Sequence, residues 1–188
     1  QYHFAPIGYE YKGTKIYLRQ AFALLIDQLR PKSTGSVELK SSNPNDKPLI
    51  NFNYLKDPKD IKDLVNGVKK ARELVAQKSF DQFRGTEIEP GPSIKTDAEI
   101  KAWLRKTVAT DYHPSCTCSM GNGKQAVVDE NFCVHGLKNL RVVDASVMPK
   151  IISANLNAPV QMIAARAADM ILGYNQKEPL KVSFAFEE

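Results

Sequence analysis

The last third of the sequence carries three polar segments in order, separated by apolar residues, and these constrain the chain most. They read HPSCTCSMG at residues 113–121, LRVVDAS at 140–146 and SANLNAP at 153–159. The first contains an imidazole that titrates near neutral pH, the second a carboxylate after an apolar stretch, and the third an amide-rich helix start. A fold that brings such groups together forms a site for proton transfer beside a bound anion.

The composition describes an ordinary globular chain and excludes some classes of protein. The 188 residues are 43% hydrophobic and 25% charged, which suits one core or two small ones. No apolar run reaches the roughly 20 residues that a membrane-spanning helix needs. The net charge of +5 comes from lysines spread along helical stretches, which favours a solvated surface. A nucleic-acid-binding surface would need a basic stripe interleaved with aromatic residues, and none is visible.

The first part of the chain has the pattern of β-strands. Residues 1–56 carry short apolar or alternating runs, of which residues 21–29 are the strongest candidate for a buried strand. Residues 36–40 alternate polar and apolar side chains, and residues 49–54 form another short candidate. We therefore expect a mixed β-sheet region with helices over residues 1–108.

Three helices have clear start or stop signals. Asp57 and Pro58 mark the start of the first, and Thr96 with Glu99 forms a capping box for the second. The third is predicted over residues 157–172, with Gly173 as its stop. Its predicted buried face consists of Val160, Ile163, Ala164, Ala167 and Ile171. A buried strand is predicted over residues 140–143, and residues 181–186 suit a strand or a loose tail.

The cysteine and histidine residues near the first segment raise the question of a metal site. His113, Cys116, Cys118, Cys133 and His135 supply nitrogen and sulfur atoms in two clusters, H-x2-C-x-C and C-x-H. Structural zinc sites favour C-x2-C knuckles, and this spacing is not one of their signatures. We therefore predict no metal here. A single loop histidine is more often structural than catalytic, so His113 gains weight only from the segments that follow it.

The other two segments each allow a structural and a functional interpretation. Asp144 follows an apolar strand candidate, where a carboxylate either binds a ribose or ribityl hydroxyl or caps the next turn. Asn157 suits a helix N-cap, and Pro159 suits the first helical turn. The free N–H groups of that helix start can also stabilise a bound anion.

In order and spacing these segments resemble the C-terminal part of the glucose–methanol–choline (GMC) family of FAD-dependent oxidoreductases. The family pattern is roughly H-P-x-G-T-C-x-M-G, then L-R-V-x-D-A-S-x-x-P, then S-x-N-x-N-A-P ahead of a helix. Residues 29–35 and 42–55 also look like the substrate-domain segment of that family, notably in insect members. The resemblance runs from about residue 20 to residue 173.

The resemblance implies a role for each segment. His113 falls on the family's catalytic histidine, which takes the hydroxyl proton of an alcohol or sugar while hydride passes to flavin N5. Asn155 falls on the second active-site position, where it would orient the alcohol. Cofactor contacts are implied for Asp144, Ala145, Asn157, Ala158 and Pro159. Cys118 is the usual cysteine of the motif, whereas Cys116 stands where glycine is usual, so we expect its backbone to avoid a glycine-only conformation.

The resemblance also implies a fold and a missing part. It implies an α+β or α/β chain, with the mixed-sheet substrate region over residues 1–108. The C-terminal strand and helix of a Rossmann-like FAD-binding domain would follow over 109–175, with a tail over 176–188. No G-x-G-x-x-G turn occurs in the sequence. We therefore expect the chain to be the C-terminal half of a larger enzyme, with the FAD-binding N-terminal half as its partner.

Two other functions and a location stay open at this stage. Some relatives in the family are hydroxynitrile lyases, in which the flavin is structural, and a non-catalytic subunit would keep the same fold. The likeness to insect members favours a secreted or extracellular protein. The chain begins with Gln1 rather than Met, which we interpret as a fragment or a processed product.

Overall fold

A computed structural model of the chain describes residues 1–12 and 15–178, with side chains except at residues 9–17. The strand or tail predicted over residues 181–186 lies outside the described residues. The chain forms two compact units, the first over Gln1–Tyr112 and the second starting at His113. Both strands and helices are present, as expected for a mixed α and β chain. No helix in the described ranges has the length and apolar character needed to cross a membrane.

The strands of the first unit form antiparallel pairs. They are β1 (Tyr2–Ala5), β2 (Gly8–Lys12), β3 (Lys15–Arg19), β4 (Ala23–Ile26), β5 (Ser36–Glu38) and β6 (Leu49–Asn51). Strand β1 pairs with β4, β2 with β3, and β5 with β6. The strands predicted over residues 21–29, 36–40 and 49–54 are therefore present but shorter than expected, because each spans only the residues that pair with its partner.

Two helices complete the first unit, and their start signals behave as predicted. Helix α1 (Pro58–Val75) is capped by Asp57, whose carboxylate accepts the Lys59 amide at 2.8 Å. Helix α2 (Asp97–Thr107) has the complete capping box of Thr96 and Glu99. The two helices share one apolar core, which consists of Leu55, Ile61, Leu64, Val65, Val68, Ile100 and Leu104.

Strand β4 packs closely on α1 because the helix carries a glycine at the contact. A Cβ atom at Gly67 would lie 2.6 Å from Ile26 Cγ2, closer than real side chains approach. The Tyr2 hydroxyl donates to the Gly67 carbonyl at 3.0 Å, which ties β1 to the same turn. A glycine inside a helix lowers helix stability by about 1 kcal/mol relative to alanine, and here the missing side chain lets β4 approach α1 closely.

The second unit contains one long helix and little regular strand. Helix α3 (Asn157–Leu172) ends at Gly173, whose φ of 75° gives the left-handed stop predicted from the sequence. The strand predicted over residues 140–143 is wrong as a regular strand. Only a bridge between Cys133 and Arg141 forms there, because the described chain offers this segment one irregular partner. Val128, Phe132, Val147 and Ala167 form the buried centre of the unit.

The apolar face predicted for α3 is only partly buried. Ala167 is buried, and Val160 and Ile163 are half-buried, whereas Ala164 and Ile171 are exposed. The helix carries apolar residues all round, including Met162 and Leu172, which are 57% and 62% exposed. Helices of this kind are normally enclosed on more than one side.

Candidate active site

His113 is the first residue of the second unit and is half-buried. Pro114 follows it and disfavours helical backbone at His113. Within the part of the chain that the structure describes, no hydrogen bond holds the His113 side chain. The imidazole is therefore available to a molecule bound from outside this chain.

The segment after His113 is fixed by hydrogen bonds to the turn that follows Asp144. The amides of Cys116, Cys118 and Met120 donate to the carbonyls of Ala145, Ser146 and Val147 at 3.3, 2.9 and 2.9 Å, respectively. Alternate residues of the first segment thus bond to successive residues of the turn. The first polar segment and the second are side by side, as a shared site requires.

A second partner holds the other edge of this segment. The Val127 amide donates to the Ser119 carbonyl at 2.9 Å, and the Gly121 amide donates to the Val128 carbonyl at 3.0 Å. His135 Nε2 lies 2.8 Å from the Gly121 carbonyl oxygen. Residues 116–121 therefore lie between two other segments, which anchors the backbone that leads away from His113.

The sequence predicts loop structure over residues 110–123, and the structure confirms it, with turns, bends and one isolated bridge at Met120. The hydrogen bonds to residues 145–147 were not predicted, because they join segments that lie far apart in the sequence.

Cys116 adopts the conformation that we expected it to avoid. Its φ is 71°, in the left-handed region, although the residue has a side chain. The expectation is wrong because a hydrogen bond to the turn after Asp144 fixes the backbone there: the Cys116 amide donates to the Ala145 carbonyl. The left-handed region costs a non-glycine residue of the order of 1 kcal/mol.

Replacing Cys116 with glycine should therefore raise the free energy of unfolding by about 0.5–1 kcal/mol, because glycine removes the Cβ strain. Urea denaturation of the two chains measures the difference. Cys118→Gly is the matched control: Cys118 has no positive φ, so glycine there should destabilise by a similar amount. Equal destabilisation by both substitutions would show that Cys116 is not strained.

Asp144 has the capping role that was one of its two interpretations. Its Oδ1 accepts the Ser146 amide at 2.7 Å and also the Ser146 hydroxyl, at the start of a short 3-10 turn over Ala145–Val147. The residue is nevertheless exposed. A capping carboxylate at the surface still presents lone pairs to a ligand hydroxyl.

The third segment places an exposed helix start in the same unit. Asn155, Asn157 and Ala158 are exposed, whereas Leu156 between them is buried. Leu156, not Asn157, is the N-cap of α3, so the predicted cap is wrong. The core takes the Leu156 side chain, and Asn157 becomes the first helical residue, where its Oδ1 accepts the Gln161 side chain at 3.1 Å.

The N-cap residue of this helix provides no cap. The apolar side chain of Leu156 offers no acceptor, so it makes no hydrogen bond to the first amides. The first amides of an α-helix have no intrahelical partner and carry partial positive charge. The start of α3 therefore suits an anionic or electron-rich ligand group better than a helix with a polar cap would.

Three of the five residues considered for a metal, namely Cys116, Cys133 and His135, have separate side-chain partners. Cys116 Sγ lies 3.3 Å from Ser115 Oγ, and Cys133 Sγ lies 3.7 Å from the Asn131 carbonyl oxygen. The ring of His135 is bound to Gly121. All three cysteines are free thiols.

Comparisons with known proteins point to one family. The sequence profile of the GMC oxidoreductase family matches residues 31–164. The oxygen-dependent choline dehydrogenase of Vibrio vulnificus strain YJ016 is 47% identical over 182 residues, which are 96% of this chain and 32% of that protein. A second oxygen-dependent choline dehydrogenase, from Serratia proteamaculans strain 568, is 43% identical over 98% of this chain and 33% of its own length.

Solved flavoenzyme structures share the fold. Pyridoxine 4-oxidase from Mesorbium loti superposes with a TM-score of 0.72 and 30% identity, over 82% of this chain and 30% of its own. A variant of formate oxidase from Aspergillus oryzae RIB40 gives a TM-score of 0.75 and 31% identity, over 80% and 26%. The chain spans about a third of the length of the curated relatives it matches. The two choline dehydrogenases are bacterial and give no support to a special likeness to insect members.

Proposed function

Because this chain belongs to the GMC oxidoreductase family, we propose that it supplies the active-site part of an FAD-dependent enzyme that oxidises an alcohol to a carbonyl compound. One observation carries this proposal: the backbone after His113 is bonded to the turn after Asp144, while the His113 side chain has no hydrogen bond within the described chain. Bound FAD supplies the acceptor for the hydride that leaves the alcohol carbon. The residues of this chain supply the proton chemistry and the orientation.

His113 is the proposed general base. A neutral imidazole accepts the hydroxyl proton as the alcohol is oxidised, and histidine is the side chain that most often serves as a general base. Its half-buried position limits contact with water while leaving one side open. The anchored segment that follows keeps the ring in place, which is the requirement for proton transfer over hydrogen-bond distance.

Asn155 is the proposed orienting residue. Its side chain is exposed and makes no hydrogen bond among the residues that the structure describes. An amide offers both a donor and an acceptor, so it holds an alcohol oxygen without competing for its proton. In this proposal Asn155 fixes the substrate and His113 alone takes the proton.

The remaining site residues fit the family's cofactor. Asp144 is positioned to accept a hydroxyl of the ribityl or ribose chain, and Ala145 follows it in the same turn. Asn157, Ala158 and Pro159 form the first turn of α3, where the apolar N-cap Leu156 makes no hydrogen bond that competes with a ligand. The uncapped amides would stabilise negative charge on the flavin ring. A helix start with an apolar N-cap and an exposed carboxylate in the same unit are the features of this structure that fit FAD.

The partner of this chain is the FAD-binding half of the same enzyme. The matched relatives are about three times as long as the region they share with this chain. Helix α3 presents Met162, Ile171 and Leu172 to solvent, each more than half exposed. Apolar surface of this kind gains free energy when another part of a protein covers it. The dinucleotide-binding half would provide that cover.

Choline is the first substrate to test, since the two relatives named above are choline dehydrogenases. We propose an alcohol with a quaternary ammonium group as substrate and molecular oxygen as one electron acceptor. Co-expression of this chain with the N-terminal half of the Vibrio vulnificus enzyme should give a flavoprotein that consumes oxygen when choline is added. Ethanol at the same concentration is the matched control and should be turned over far more slowly.

Asn155→Ala in that assembled enzyme should raise the KM for choline by about 10-fold, because one hydrogen bond to the substrate is lost. Steady-state oxygen uptake measures it. If a preparation that retains FAD consumed no oxygen with choline or with any other alcohol, a non-catalytic subunit would be favoured. Cyanide release from a hydroxynitrile without flavin reduction would select a lyase instead.

A further inference from the structure

A cluster of metal-ligating groups lies in the first unit, apart from the site described above. His3, Asp27 and Asp111 come from three separate segments, and their ligand atoms all lie within 4.8 Å of one another. His3 belongs to β1, Asp27 follows β4 directly, and Asp111 lies in the chain after α2. His3 Nε2 and Asp27 Oδ2 are 2.7 Å apart.

The pairing of β1 with β4 fixes two of these groups. His3 pairs with Leu25 in the antiparallel register. The ladder continues one step further, because the Asp27 amide donates to the Gln1 carbonyl and the Gln1 amino group donates to the Asp27 carbonyl, both at 2.9 Å. Side chains two residues apart on a strand point to the same face, so His3 and Asp27 are diagonal neighbours by construction.

The three side chains of the cluster differ in their exposure to solvent. The Asp27 side chain is 18% exposed, whereas that of His3 is 39% exposed. Asp111 is exposed. An ion could therefore enter, and water could complete its coordination, as in zinc sites that keep an open position.

The chemistry of these three groups matches a zinc-type ion. Zinc binds imidazole nitrogens and carboxylate oxygens at about 2.0–2.2 Å. In a tetrahedral site, two neighbouring donor atoms are then about 3.4 Å apart. Small side-chain rotations bring donors within 4.8 Å to that spacing. Two carboxylates at this range repel each other, and a divalent cation between them removes the repulsion.

We propose that His3, Asp27 and Asp111 form a binding site for Zn²⁺ or a similar first-row divalent cation. The site ties β1 and β4 to the chain that follows α2, and Asp111 lies two residues before His113 in the sequence. The proposal does not depend on the oxidoreductase function, because it concerns only residues of the first unit.

Nitrogen NMR of the imidazoles tests this directly, since the chain has only three histidines. Zn²⁺ added below one equivalent to the full chain should shift the ring signals of His3 and leave those of His113 and His135 unchanged. The three free cysteines are the competing zinc ligands. Binding there first, with the His3 signals unchanged, would overturn the proposal.

Asp111→Asn should weaken Zn²⁺ binding in isothermal titration by at least about 10-fold, because one of three protein ligands is lost. Asp111 is exposed, so the substitution should leave folding intact. Asp97→Asn is the matched control, an exposed carboxylate of the same unit that pairs with Lys69 instead. Wild-type zinc affinity in Asp111→Asn, or equal losses in both variants, would also overturn the proposal.

Discussion

Replacing His113 with glutamine lowers kcat of the assembled flavoenzyme by about 10²–10⁴-fold, the usual contribution of a general base. Glutamine fills the same space but does not accept a proton at neutral pH. The cofactor contacts proposed for Asp144 and the start of α3 do not include this ring, so FAD content should stay unchanged. Turnover with choline and the visible spectrum of the variant measure the two quantities.

His135→Gln is the control that separates catalysis from structure. His135 is exposed, and its ring contacts only the Gly121 carbonyl oxygen among the described groups. This substitution should leave kcat within about twofold and cost at most about 1 kcal/mol of stability. Full turnover in His113→Gln, or an equal loss of turnover in His135→Gln, would remove His113 from the role of base.

Asp60→Asn should lower the free energy of unfolding by about 3 kcal/mol, the largest effect on stability that we expect. Asp60 is 1% exposed. Its carboxylate accepts the amides of Lys32 and Ser33 at 2.8 and 2.7 Å and the Gln28 side chain at 2.9 Å. An asparagine has one acceptor oxygen, so its NH₂ group would face a buried N–H donor and leave both unsatisfied.

The same carboxylate makes stability depend on pH. Burial raises the pKa of Asp60, but the hydrogen bonds from Lys32, Ser33 and Gln28 together outweigh burial and lower the pKa below its ordinary value. A lowered pKa in the folded state means that this stabilisation is present above the unfolded pKa of about 3.9 and is lost as the pH falls through the folded pKa. The wild-type chain should therefore lose stability in acid, and Asp60→Asn should lose less.

Urea denaturation at pH 7 and pH 3 measures both effects. Asp63→Asn is the matched control on the same helix, since Asp63 also accepts the Gln28 side chain but is 38% exposed. Asp63 also forms an exposed ion pair with Lys59, and such a pair contributes about 0–1 kcal/mol to stability. If the two variants lost equal stability, the buried hydrogen bonds of Asp60 would not be what holds the turn at Lys32 and Ser33 against α1.

Local signals in the sequence were enough to predict the helices. Asp57, the capping box at Thr96 and the glycine at residue 173 each act through hydrogen bonds or backbone angles within a few residues, so the sequence shows them directly. The segment over residues 140–143 behaves differently. A strand exists only with a partner, and the described chain provides a single bridge at Arg141.

The residues of the candidate site come from the family resemblance, and their roles stay predictions, whereas the backbone of the site was not predictable from the sequence. His113 and Asn155 fall on positions to which the resemblance assigns the base and the orienting group. The left-handed Cys116 and the buried cap at Leu156 depend on contacts that other segments impose. The prediction of a single apolar face on α3 also fails in part, because apolar residues such as Met162 and Leu172 lie exposed outside that face.

Anaerobic addition of choline to the assembled flavoenzyme tests the central claim most directly. The account predicts that the oxidised flavin band bleaches on mixing and that betaine aldehyde, the matching carbonyl product, appears in an amount equal to the flavin reduced. It also predicts that His113→Gln bleaches about 10²–10⁴ times more slowly at the same pH. A flavin band that stays oxidised with choline and with every other alcohol tested would contradict the account.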